Sequence, residues 1–147
     1  MVILGGGIVT GLRLYGTFAR GAAVGVEGMV AQQLASDLLA EIVSRDFQGG
    51  GFGPGPSDTV RRDFDDVDDY DDWVESPPQN LDGAPLDPVA YAGYERRAQV
   101  YNVDETDLKT PRADGTTAAK AIIVVVSRYG KERARLAAIR TRHNGYQ

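Results

Sequence analysis

From Val30 to Val43 the chain repeats apolar residues at a spacing of four. Val30, Leu34, Leu38 and Ile42 form one row, and Ala31, Ala35, Leu39 and Val43 form the row beside it. Rows at that spacing share one face of an α-helix. Gln32, Gln33, Ser36, Asp37, Glu41 and Arg45 take the other side, so the helix needs an apolar partner surface, and a sheet is the expected one. Shortly afterwards Gly49 to Pro56 reads Gly-Gly-Gly-Phe-Gly-Pro-Gly-Pro, which no helix survives, because glycine relaxes the backbone and proline lacks the N–H donor. The long helix is thereby confined to the N-terminal third.

Upstream, the helix is expected to reach back to about Ile8 and to run forward to about Phe47. Glycine stands at positions 5, 6, 7, 11, 16, 21, 25 and 28, then not again until Gly49. Each interior glycine costs a helix about 1 kcal/mol relative to alanine, so this half is marginal alone in water. Gly7/Gly11 and Gly21/Gly25 have the small-xxx-small spacing that lets helices approach closely. The competing reading is a frayed terminus. The uncharged opening from Met1 to Leu12 is too short to span a bilayer and no complete signal peptide is visible, so we expect residues to be missing upstream. The glycine-proline stretch is a poor phosphate loop, since no Gly-Lys-Ser/Thr follows and no strand precedes it.

Composition narrows the chemistry. In 147 residues there is no cysteine and one histidine, His143, which excludes thiolate chemistry, disulfides and thiolate metal ligation and leaves little for acid–base catalysis. His143, near the end, reads as a solvated tail residue. The formal net charge of −5 is uneven: seven of the ten residues from Asp63 to Asp72 are aspartate, and the stretch from Arg128 onward has six Lys/Arg against Glu132 alone. No nucleic-acid-binding motif accompanies those basic residues.

Within Asp63–Trp73, Phe64, Val67, Tyr70 and Trp73 recur every third position with acidic pairs between them. That period suits a short helical or 3₁₀ turn, or an extended threefold ribbon, anchored along one edge and exposing aspartates on the others. Solvent, Arg61 and Arg62, or a hard cation must offset the charge. The favoured reading is a solvated acidic loop pinned by its aromatic residues. The alternative is a calcium site using Asp65, Asp66, Asp68 and Asp69, although the EF-hand template does not fit. No other cofactor is expected.

After a loop from Ser76 through Asp87-Pro88, Tyr94–Val103 alternates as a strand, with Tyr94, Arg96, Ala98, Val100 and Asn102 on one face. Ala121–Val126 is the strongest strand signal. Arg128-Tyr-Gly-Lys131 supplies a turn, and Glu132–Arg142, rich in helix formers, is read as the hairpin partner. The expected architecture is α+β: a long N-terminal helix packed by its C-terminal half on a small antiparallel sheet, with an acidic loop between.

Ile3-Leu-Gly-Gly-Gly-Ile-Val-Thr-Gly-Leu12, Ala31-Gln-Gln-Leu-Ala-Ser-Asp-Leu-Leu-Ala-Glu-Ile42, Phe64-Asp-Asp-Val-Asp-Asp-Tyr70 and Trp73-Val-Glu-Ser-Pro-Pro78 together resemble type IV pilin-like proteins, in particular the minor pilins and type II secretion pseudopilins of planctomycete-type genomes. The Asp-rich stretch is the specific part. The resemblance implies a pilin-like fold and a non-enzymatic structural subunit of a pilus or secretion pseudopilus. Residues 1–26 would be its filament-core or membrane segment and residues 27–147 its globular head. It implies other pilin or pseudopilin subunits as partners, the inner membrane before assembly, and a location in the inner membrane and periplasm or in an extracellular filament. The family's basic leader, cleavage-site glycine and glutamate at the fifth mature position are not in this sequence, and Glu27 lies too far along to be that glutamate, so the chain is expected to start partway down the helix. Two other classes compete with this one: a calcium-dependent binding or adhesin head, and a soluble enzyme using paired aspartates. The enzyme is the least supported, because an exposed charged run offers no apolar pocket to raise a carboxylate's pKa.

Overall fold

The computed structural model describes residues 14–17, 25–47 and 53–142. Strand β1 (Leu14–Thr17) precedes helix α1 (Val26–Val43). Two 3₁₀ turns, Arg61–Asp63 and Val67–Tyr70, lead to β2 (Val74–Glu75), and β3 (Tyr94–Asn102), β4 (Ala119–Arg128) and β5 (Lys131–Thr141) complete the chain. The strands form one sheet in the order β1-β5-β4-β3-β2, antiparallel throughout. The fold is therefore α+β, with one helix on an antiparallel sheet.

Both rows read from the sequence bury. Ala31, Leu34, Ala35, Leu38, Leu39 and Ile42 are inaccessible or nearly so, and they meet Ala98 and Val100 of β3, Ile122, Val124 and Val126 of β4, and Ala134, Leu136 and Ala138 of β5 in a single core. The alternation expected in β3 is present, with Tyr94, Arg96, Ala98, Val100 and Asn102 all inward. Ile123 and Val125 occupy the opposite, half-buried face. Lys131–Thr141 is a strand, joined to β4 by Tyr129 and Gly130 at φ 48° and 78°, the two positive φ values of a type I′ hairpin turn.

The expected helix is longer than the observed one at both ends. Leu14–Thr17 is not helical: it pairs antiparallel with β5, Leu14 opposite Ala138 and Thr17 opposite Arg135. A tetrapeptide with an aromatic, a β-branched residue and glycine is a poor helix former, and the β5 edge satisfies its backbone. The rest of the glycine-rich segment, residues 1–13 and 18–24, lies outside the described residues, as do 48–52 and His143. At the other end α1 stops at Val43 with Ser44 as its C-cap, before the glycines begin. The following residues instead bond to the acidic segment: Asp46 bridges Asp66 in parallel, and the Val67 N–H donates to the Asp46 carbonyl at 2.9 Å.

Candidate functional site: the acidic turn

The threefold apolar spacing of Phe64–Trp73 anchors the acidic segment as read. Phe64, Val67 and Tyr70 are buried and Trp73 half-buried. Phe64 stands edge-on to both Tyr70 and Trp73, with ring centroids 4.8 and 5.0 Å apart. These rings hold the second 3₁₀ turn, Val67–Tyr70, against the core.

Asp63, Asp65 and Asp72 are exposed, but three aspartates of the run are buried, which corrects the expectation of a solvated loop. Asp66, Asp68 and Asp69 are only 1, 1 and 5% accessible. Their charge is met by local backbone donors and by one lysine. Asp66 Oδ1 caps the turn, accepting from the Asp68 and Asp69 N–H groups at 2.7 and 3.2 Å. Asp69 Oδ2 reaches back to the Asp65 and Asp66 N–H groups at 2.8 and 3.3 Å, completing a capping box built from two aspartates. Asp71 Oδ1 accepts from the Val100 N–H at 2.9 Å and ties the segment to β3. Burial raises the pKa of Asp66, Asp68, Asp69 and Asp71 above the ordinary carboxylate value.

Asp68 takes the cation. Lys120, fully buried on β4, places Nζ 2.7 Å from each of the two Asp68 carboxylate oxygens. The same Nζ donates to the Phe47 carbonyl at 2.7 Å and lies 4.2 Å from the centre of the Phe47 ring. Arg61 and Arg62 do not serve the aspartates: Arg62 pairs with Asp82 on the surface, and Arg61 turns inward. Of the four candidate ligands, the fold gathers Asp65, Asp66 and Asp69, each offering a carboxylate oxygen within 4.8 Å of the others, and commits Asp68 to Lys120. Among the described residues no lysine or arginine pairs with those three.

Beside the turn lies a second buried network that sequence reading did not find. Glu75, 1% accessible, accepts from Arg61 Nε, from Trp73 Nε1 at 3.1 Å, from the Gln79 N–H at 3.0 Å and from Arg96 Nε at 2.9 Å. Arg61 also reaches Glu41 on α1, and both arginines donate to the Gln79 carbonyl, at 2.6 and 2.7 Å. Glu41 accepts in addition from the Tyr70 hydroxyl at 2.7 Å. Burial, followed by the bond to Glu41, pushes the Tyr70 pKa up. The visible signal was parity: Arg96 falls on the same strand face as Tyr94, Ala98 and Val100, and an inward arginine requires a buried acid.

Comparison with protein-family models, curated proteins and solved structures gives no match to this chain.

Proposed function

We propose that this chain is a structural subunit of a pilus-like or pseudopilus filament, with α1 and the five-stranded sheet, β1 included, as its head, and that it performs no catalysis. The observation that carries the reading is the division of α1: from Ala31 to Ile42 it is buried on the sheet, whereas Val26 and Met29 at its start are 78 and 66% accessible. Apolar residues one turn apart on the exposed side of the first turn of α1 offer neighbouring copies a contact surface. The motif set running from Phe64 to Pro78, in order after such a helix, supports the same assignment. Membrane residence before assembly belongs to the proposal; among the described residues no helix is long and apolar enough to cross a membrane.

The absence of cysteine gives a direct test. Val26→Cys or Met29→Cys, expressed in the native cell and treated with a short bis-maleimide, should give a covalent dimer in the filament or envelope fraction, since each chain then carries a single thiol. Monomer alone from both variants, with the protein recovered folded, rejects the proposal.

A further inference from the structure

The geometry points to a calcium site on the acidic turn, formed by Asp65, Asp66 and Asp69 and excluding Asp68. It is independent of the filament reading. Oxygens that share a calcium ion lie 2.3–2.6 Å from it, so no two of them are much farther apart than twice a bond length. The 4.8 Å limit within which oxygens of the three carboxylates lie meets that condition without rearrangement of the backbone.

A cluster of acids is common without an ion, and a separate observation distinguishes this one. Asp66 is 1% accessible, and while its Oδ1 holds two N–H groups, its Oδ2 is buried with no hydrogen-bond partner. A buried carboxylate oxygen without a donor is costly, and a hard cation removes the cost. The lysine that could have done so is spent on Asp68 and the Phe47 carbonyl. Asp65 is exposed and opens the cluster to solvent, which supplies the remaining ligands of an ion with a coordination number of six to eight. Calcium is preferred over magnesium because three carboxylates held by a short turn do not present the rigid octahedron that magnesium demands.

The test uses the full chain, stripped with a chelator, then titrated with CaCl2 by calorimetry and followed by thermal melting. Asp65→Asn removes an exposed ligand and no hydrogen bond of the fold. Asp66→Asn keeps an oxygen to cap the turn and removes the charge. Asp63→Asn, an exposed acid of the same segment outside the trio, is the control. The expected result is one calcium per chain and a rise in Tm for wild type and Asp63→Asn, with affinity falling about tenfold or more in Asp65→Asn and Asp66→Asn. No heat and no Tm change at millimolar calcium, the weak end of protein calcium sites, overturns the proposal. So does a response shared equally by all four proteins, or one that NaCl of the same ionic strength reproduces. Should Asp66→Asn fail to fold by circular dichroism, Asp65→Asn decides alone.

Discussion

Glu75 shows what a buried charge does when its partners are complete. Both carboxylate oxygens are occupied, by Arg61 and Trp73 on one side and by Arg96 and the Gln79 amide on the other. Removing the acid while keeping the arginines leaves Arg96 without a carboxylate partner and Arg61 with Glu41 alone, both side chains 4% exposed. Breaking one partner of a buried pair typically costs about 3–5 kcal/mol, so Glu75→Gln should lower the urea midpoint by a corresponding amount. Arg62→Ala, which removes a pair whose members are 65 and 51% exposed, should stay within about 0.5 kcal/mol of wild type. Equal effects from the two would mean that the Glu75 network is not the anchor its burial suggests. A different sign of behaviour belongs to Asp104, in the loop between β3 and β4. Its Oδ1 accepts from the Thr106 hydroxyl at 2.6 Å and the Thr106 N–H at 2.8 Å, and its Oδ2 from Arg112 Nε at 2.9 Å. The Thr106 hydroxyl first, then Arg112, hold its pKa below the ordinary 3.8. A folded-state pKa depressed below the unfolded value gives stability that is present above the unfolded pKa and is lost as pH falls through the folded one. The Thr106 and Asp107 amides should therefore keep their hydrogen-exchange protection down to about pH 4 and lose it only on further acidification. Loss already near pH 5 would count against these bonds.

Which elements were legible follows from whether their signal is local. The α1 face and the inward face of β3 are periodic in the sequence, and both bury as read, because burial of a face is what the periodicity records. The β4–β5 hairpin was legible through its turn, since Tyr129-Gly130 between β-branched residues and a second alternating run leaves one geometry, despite the helix formers in Lys131–Thr141. Strand β1 was not legible: Leu14–Thr17 is too short to show a period, and its state depends on an open edge of β5 more than a hundred residues away. The acidic turn was half legible. The spacing of Phe64, Val67 and Tyr70 gave the anchoring but left a helical turn and an extended ribbon both open, a run of aspartates reads as solvated, and only tertiary contacts show Asp66, Asp68 and Asp69 drawn beneath the surface. Lys120 carried the missing clue. It shares strand parity with Ile122, Val124 and Val126, so it had to point inward, and an inward lysine implies an acid to meet it.

At the scale of the molecule, Lys120 is where three separate segments meet. It lies on β4, bonds the Phe47 carbonyl at the exit of α1 and pairs with Asp68 of the acidic turn. Its neighbour across the sheet, Arg140 of β5, donates to the Arg45 carbonyl at 3.2 Å. The last turn of α1 has no basic residue of its own, so the sheet supplies the positive charge that complements the helix C-terminus. Helix exit, acidic turn and sheet are thus held by side chains that must all be in place together, which makes unfolding one event rather than a loosening of the turn alone. Lys120→Met preserves the apolar stem but leaves Asp68 buried without its cation, and should lower stability by about 3–5 kcal/mol in a single transition seen alike by tryptophan fluorescence, which reports Trp73, and by helical circular dichroism. Adding Asp68→Asn to that variant removes the stranded charge and should recover part of the loss, since the energy of a buried pair lies largely in the penalty of breaking it from one side. Two separate transitions in Lys120→Met, with fluorescence changing first, would show instead that the acidic turn is an appendage to the helix and sheet.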